Sequence, residues 1–68
     1  MIGIYEIRNK YNGKRYIGQS LDVIDRLRHH KSELRHNRHN NSYLQRSWHK
    51  YGEDSFEFAV LEECDEKV

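Results

Sequence analysis

The chain of 68 residues contains no proline, a single cysteine and no uninterrupted apolar run longer than four residues. Such short runs exclude a transmembrane helix, which needs about 20 consecutive apolar residues, and the N-terminus has no signal-peptide pattern. The lone cysteine, Cys64, has no partner for an intrachain disulfide. We therefore expect an intracellular, cytoplasmic protein that does not associate with a membrane.

The net charge of +1 conceals two oppositely charged segments. Segment 8–50 has eleven Lys or Arg against three acids and holds all five histidines, whereas segment 51–68 has seven acids against one Lys. This asymmetry predicts a surface that binds a polyanion beside an acidic flank. The alternative is that both are ordinary solvated faces whose charges pair with each other.

Two short strands are predicted at 2–8 and 14–19, joined by a turn at Asn12-Gly13, a dipeptide typical of β-hairpins. Side chains alternate across a strand, so a loop with an even number of residues places Tyr5 and Tyr16 on one face. A two-residue turn would leave these tyrosines four residues apart, or about 13 Å. A longer loop could place them directly opposite each other, which is the register that a shared site needs.

Two helices are predicted next. The first has Asp22 as its N-cap and ends near His36. Its buried stripe is predicted to consist of Ile24, Leu27, Lys31 and Leu34. After a polar linker at 37–41, Ser42-x-x-Gln45 has the form of a capping box, and the second helix ends at Gly52.

A third strand is predicted at 56–61, where aromatic and branched residues alternate with other types. The residues expected in the core are Leu44, Trp48, Tyr51, Phe56, Phe58, Val60 and Leu61. The element order β-β-α-α-β predicts an α+β domain with a small, mainly antiparallel three-stranded sheet flanked by helices. No linker divides the chain, so 1–68 is expected to be one domain.

Arg26 and His30 are four residues apart and therefore lie on one face of the first helix. At 100° per residue they border the predicted stripe, so we expect them to be partly shielded yet reachable. A site at that edge would bring them towards the tyrosine face of the hairpin.

Gly3-Ile4-Tyr5 followed by Tyr16-Ile17-Gly18 forms the GIY and YIG signatures of the GIY-YIG nuclease family. The chain resembles this family over nearly its whole length, and most of all the phage and intron-encoded homing-type endonucleases. Further matches are Arg26, His30, His39 and the segments 44–52 and 56–62. The resemblance implies a metal-dependent endonuclease that hydrolyses DNA phosphodiester bonds.

The resemblance also implies roles for the catalytic residues. Tyr16 is expected to be the general base towards water, which requires a nearby cation or metal, since free phenol has a pKa near ~10. Tyr5 would orient water or phosphate, Arg26 would grip phosphate oxygens, and His30 would transfer a proton or hold a phosphate. Substrate contacts are expected from Gly18, His39, Lys14 and Arg28.

One Mg²⁺ or Mn²⁺ ion per site is implied as cofactor, held in the family by a glutamate on a helix after the third strand. No metal ligand is identifiable in the chain, and we expect that glutamate beyond Val68, so that domain 1–68 lacks this C-terminal helix. The alternatives are a non-catalytic nucleic-acid-binding module, a truncated fragment of such a nuclease, or a protein-interaction domain that uses the acidic tail. DNA is the expected partner, with specificity from a fused or separate DNA-recognition domain.

Overall fold

The computed structural model describes residues 2–64. It shows a three-stranded antiparallel sheet packed against two helices. In chain order the elements are β1 (Ile2–Asn9), β2 (Arg15–Ser20), α1 (Val23–Arg35), α2 (Ser42–Tyr51), a 3₁₀ turn (Glu53–Ser55) and β3 (Phe56–Cys64). The strand order is β2-β1-β3, so β1 is central. The predicted α+β class and element order are confirmed. None of the helices within residues 2–64 is long and apolar enough to cross a membrane.

The hairpin register lies between the two that the sequence suggested. Asn9 closes the loop by donating from its backbone N–H to Lys14 O (2.9 Å) and accepting from Gly13 N–H (2.8 Å), which leaves four residues, 10–13, in the loop. Gly13 has φ 77°, a left-handed conformation that glycine adopts without steric penalty. Tyr16 therefore pairs with Ile7, and Tyr5 pairs with Gly18. The loop has an even number of residues, which confirms that the two tyrosines share a face. Along the ladder they are offset from each other by two residues.

The core lies between that face of the sheet and both helices. It consists of Ile7, Leu34, Leu44, Trp48 and Phe56, with Tyr16, Leu27, Tyr51 and Phe58 packed partly against it. One predicted core position, Leu61, is wrong. A bulge in the β1–β3 ladder pairs residue 4 with residue 62 and residue 5 with residue 60. Leu61 is left without a partner across the ladder and is 48% exposed.

The buried stripe of α1 is rotated relative to the prediction. Ile24 is 46% exposed, whereas Val23, His30 and Leu34 are buried, with spacings of seven and four residues. Lys31 is half-buried with its Nζ 5.4 Å from the centre of the Phe58 ring. Helix α1 thus presents His30, rather than Ile24, to the sheet. The helical period of the sequence is compatible with either side being buried, and the tertiary packing determines which one is.

The caps of the helices are partly as predicted. Asp22 caps α1 by accepting from Asp25 N–H (3.2 Å), and Gly52 ends α2 at φ 86°. The capping box at Ser42 is wrong, because Asn41 is the N-cap and accepts from Leu44 N–H (3.0 Å). The side chain of Gln45, assigned to that box, is instead buried between the two helices.

Candidate active site

Four aromatic side chains meet where the tyrosine face of the hairpin contacts α1 and the loop that follows it. Tyr5 and Tyr16 come from adjacent strands, His30 from α1, and His39 from the loop before α2. The ring of His30 lies 5.2 Å from that of Tyr5 and 5.5 Å from that of Tyr16. His39 stacks on His30 at 4.9 Å and meets Tyr16 edge-on at 6.3 Å. The structure therefore brings together four residues that the sequence singled out separately.

A chain of hydrogen bonds runs through this cluster. Tyr5 Oη lies 2.6 Å from His30 Nε2. His30 Nδ1 lies 2.7 Å from His39 Nε2. The backbone N–H of Asn41 donates to His39 Nδ1 at 3.0 Å. We call this chain the histidine relay; it links a strand, a helix and a loop through buried groups.

The direction of the relay follows from its last member, because a backbone N–H can only donate. The Asn41 N–H makes His39 Nδ1 an acceptor, so a neutral His39 carries its hydrogen on Nε2 and donates it to His30 Nδ1. A neutral His30 then carries its hydrogen on Nε2 and donates it to Tyr5 Oη. The Tyr5 hydroxyl is thereby left with its own hydrogen to donate to another group.

Burial keeps both imidazoles neutral. His30 is 0% exposed, and this burial, assisted by the positive charge of Arg26, lowers its pKa to about 4. Burial also lowers the pKa of His39. Burial raises the pKa of Tyr5, and the smaller effect of Arg26, which lowers this pKa, offsets part of the rise. At neutral pH the relay therefore consists of two neutral histidines and a protonated phenol.

The expectation that His30 is reachable from solvent is wrong. Both ring nitrogens of His30 are engaged, by Tyr5 and by His39, and its side chain is fully enclosed. The rotation of α1 that buries His30 is the reason. This arrangement leaves no ring nitrogen of His30 free for a direct contact with a substrate.

Arg26 is half-buried on α1, one turn before His30. The positive charge of its guanidinium lowers the pKa values of Tyr5, His30 and His39, in each case as a smaller effect than burial. None of the ion pairs found among residues 2–64 includes Arg26. The guanidinium of Arg26 is permanently charged and forms no ion pair with a described carboxylate, so its donors are suited to binding phosphate oxygens.

The ring of Tyr5 lies directly over Gly18. A Cβ built at Gly18 would come within 2.6 Å of Cζ of Tyr5, so any side chain at this position would force the tyrosine ring to shift. Gly18 was expected to let a substrate approach, but in this structure the space above it is taken by Tyr5. At Gly3 a Cβ would instead collide with the backbone carbonyl of Glu62 on β3. Both signature glycines therefore permit close packing within the protein.

The two remaining predicted substrate contacts differ in position. Lys14 is exposed and donates from Nζ to Tyr43 Oη at 2.6 Å, near the α2 end of the cluster. Arg28 is 78% exposed and lies 3.6 Å from Asp25, two positions beyond Arg26 and therefore on the opposite side of α1. The structure does not bring Arg28 to the cluster.

Two residues of the site were missed by sequence reasoning. Gln45 is 7% exposed; its Oε1 accepts from the His39 backbone N–H and its Nε2 donates to Leu34 O, both at 3.0 Å. It thereby holds the His39 loop against the end of α1. Asn41 caps α2 with its side chain and orients His39 with its backbone. The polar composition of linker 37–41 indicates that a helix begins after it. It does not indicate that the backbone of Asn41 donates to His39.

A group of potential metal ligands overlaps the relay. His30, Glu33 and His39 offer ligand atoms that all lie within 4.8 Å of one another. However, the ring nitrogens of both histidines already have partners in the relay, so a metal would bind only at the expense of those bonds. The cluster is a poor fit to a hard divalent ion, which prefers oxygen ligands. The glutamate expected beyond Val68 lies outside the described residues.

Comparison with known proteins gives a family and several relatives. A family model described as the GIY-YIG catalytic domain matches residues 1–68. Intron-associated endonuclease 1 of Enterobacteria phage T4 is 41% identical over 61 residues, which are 90% of this chain and 24% of that protein. Probable intron-encoded endonuclease 1 of Neurospora crassa is 38% identical over 60 residues, which are 88% of this chain and 18% of that protein. The chain thus spans about a quarter or less of the length of these relatives.

Solved structures show the same architecture. The catalytic domain of homing endonuclease I-TevI superposes with a TM-score of 0.87 at 36% identity, over 97% of this chain and 71% of that one. A mutant of the I-TevI catalytic domain superposes with a TM-score of 0.81 at 39% identity, over 97% of this chain and 68% of that one.

Proposed function

Because the chain belongs to the GIY-YIG catalytic domain family, we propose that it is the cutting domain of a homing-type DNA endonuclease. The observation that carries the proposal is the convergence of Tyr5, Tyr16 and Arg26 around the histidine relay. Phosphodiester hydrolysis needs a base for the attacking water and positive charge for the pentavalent phosphorus. This cluster offers groups of both kinds.

We assign the base to Tyr16, which in its phenolate form takes a proton from the attacking water as the water oxygen forms its bond to phosphorus. The bond from phosphorus to the leaving oxygen breaks in the same displacement, and the leaving oxygen takes a proton from solvent water. Arg26 donates hydrogen bonds to the phosphate oxygens, where negative charge increases in the transition state. Its half-buried position supports this role, because a partly desolvated guanidinium interacts more strongly with phosphate than one in open water.

We assign to Tyr5 the orientation of water or phosphate. The relay supports this assignment, since the His30 Nε2–H donates to Tyr5 Oη and turns the phenolic hydrogen away from His30. His30 and His39 are then positioning residues that hold the Tyr5 hydroxyl in one orientation. The family further implies one Mg²⁺ or Mn²⁺ ion per site. Since His30, Glu33 and His39 fit such an ion poorly, we assign no step to it through these residues.

The partners we propose are DNA and a DNA-recognition domain, fused or separate, for which the greater length of the relatives leaves room. The phage origin of one relative supports an intracellular, cytoplasmic site of action. We also propose that the metal glutamate and its helix follow domain 1–68.

The proposal is tested by incubating the chain, with the natural residues beyond Val68 added, with supercoiled plasmid and Mg²⁺ and measuring nicked circles. Arg26→Ala and Tyr16→Phe should each abolish nicking while the circular dichroism spectrum is unchanged. Arg8→Gln is the matched control, because this arginine pairs with Glu57 on the other face of the sheet. Unchanged nicking by Arg26→Ala would remove the guanidinium from the mechanism.

A second candidate is a nucleic-acid-binding module that does not cut. The basic side chains along α2 favour this second candidate, because they offer a phosphate-binding surface that includes neither Tyr5 nor Tyr16. Salt-sensitive DNA binding without nicking, even with the natural residues beyond Val68 added, would select this candidate. Absence of both activities would exclude nucleic acid as the partner.

A further inference from the structure

A groove leads away from the candidate active site along α2 towards the hairpin loop. Its inner part is a cavity of about 170 Å³ beside Tyr16, and its outer part is a cavity of about 270 Å³ over α2. The two cavities share Lys14, Tyr43 and Ser47 as lining residues, so they adjoin. The groove therefore connects the proposed base to a second region of the surface.

The outer part of the groove is strongly basic. Lys14, Arg46 and Lys50 line it, and no carboxylate from residues 2–64 lines either cavity. Arg46 and Lys50 are four residues apart on α2 and therefore project from the same side of the helix. None of the ion pairs within the described chain involves these three cations. Such a surface is electrostatically complementary to a polyanion.

Aromatic rings hold two of these cations in position. Lys14 Nζ donates to Tyr43 Oη at 2.6 Å. Lys50 Nζ lies 5.3 Å from the centre of the Tyr51 ring. The ring of Tyr43 is itself 55% exposed and therefore available to stack on a sugar or a base. The groove thus combines ordered positive charge with an exposed ring, both of which a nucleic acid strand can use.

We propose that this groove binds the DNA backbone next to the scissile phosphate, an inference that rests on the proposed nuclease function. Lys14, Arg46 and Lys50 neutralise successive phosphates, and Tyr43 contacts the adjoining nucleotide. These contacts position the strand relative to Tyr16 and do not read its sequence, because phosphates carry no base identity. Sequence recognition is left to contacts outside the groove.

The experiment measures binding of the chain to a fluorescein-labelled DNA duplex by anisotropy in EDTA, over a series of NaCl concentrations. Each phosphate contact contributes about 0.9 to the slope of log K against log salt. The double variant Arg46→Gln/Lys50→Gln should therefore lower the slope by about 2. The matched control, Arg8→Gln/Arg35→Gln, removes the same charge from exposed ion pairs with Glu57 and Glu53 and should leave the slope unchanged.

A pair of Tyr43 variants tests the aromatic contact. Tyr43→Phe loses the hydroxyl but keeps the ring, whose centre lies 5.2 Å from Lys14 Nζ, and should bind within about twofold of the unmodified chain. Tyr43→Leu should bind roughly tenfold more weakly, because it loses the contact of the ring with the nucleotide. In the nicking assay the Arg46→Gln/Lys50→Gln variant should need a higher DNA concentration but reach the same maximal rate. This separation of KM from kcat distinguishes a binding groove from a damaged fold.

The outcomes separate the groove from the function on which it rests. If the unmodified chain binds and nicks DNA but the groove and control variants have the same salt slope, the groove is overturned and the nuclease stands. If the unmodified chain neither binds nor nicks DNA, both are overturned. Equal binding by Tyr43→Leu and Tyr43→Phe would remove the stacking contact alone.

Discussion

Lowering the pH from 7 to 5 should destabilise the folded domain by about 2 kcal/mol through the protonation of His30. This side chain is 0% exposed and has a pKa of about 4 in the folded state. In the unfolded chain a histidine titrates near pH ~6.5. Between these two pH values His30 binds a proton in the unfolded chain but not in the folded one. Proton binding therefore shifts the folding equilibrium towards the unfolded state.

The sign and the window follow from the lowered pKa. The contribution of His30 is fully present above about pH 6.5 and is lost as the pH falls, until the curve flattens near pH 4. At about 1.4 kcal/mol per pH unit the full loss is about 3 kcal/mol, a large part of the stability of so small a domain. Burial lowers the pKa of His39 as well, which acts in the same direction. Stopping at pH 5 keeps the measurement above the usual range of carboxylates.

Urea unfolding at pH 7, 6 and 5 measures this loss through the fluorescence of Trp48, a buried residue and the single tryptophan. His30→Gln should remove most of the pH dependence, whereas the exposed His29→Gln should retain it. If His30→Gln does not fold, an NMR titration of His30 in the unmodified protein gives the same answer. A free energy of unfolding that is constant between pH 7 and 5, or a His30 resonance that titrates near pH ~6.5, would refute the reasoning.

The remaining predictions concern packing, capping and the metal. Gly18→Ala should abolish nicking, because the added Cβ collides with Tyr5 and displaces it from His30; nicking at the unmodified rate would show that the ring can move without consequence. Asn41→Ala should lower the free energy of unfolding by about 1 kcal/mol, measured in urea, whereas Ser42→Ala should change it by less than about 0.5 kcal/mol. Equal effects would contradict the assignment of the cap. EDTA should stop nicking, and Mg²⁺ or Mn²⁺ should restore it; cutting that persists in EDTA would contradict a divalent ion.

Local features of the fold were predictable because they depend on neighbours in the chain. Asp22 and Gly52 mark helix ends through the backbone bonds and dihedral angles of their own turns. The shared face of Tyr5 and Tyr16 follows from strand alternation and an even loop. The GIY and YIG signatures identified the family for the same reason, since they are contiguous tripeptides. Each of these expectations is confirmed by the structure or by the family match.

The wrong expectations share a different cause. Leu61 satisfies the strand period but falls at a bulge, and Ile24 satisfies the helical period but faces solvent. A period predicts that one face is buried without saying where the ladder shifts or how far a helix is rotated. Gln45 matched a capping box, yet its amide is used between Leu34 and His39.

The sequence by itself determined the element order, the family and the residue types of the site. Only the tertiary structure decided how those residues are connected. The relay joins Tyr5 to His30 across 25 positions and His30 to His39 across nine, and its direction depends on the backbone N–H of Asn41. No local pattern encodes such bonds, because they exist only after the sheet, α1 and the following loop have packed and excluded water.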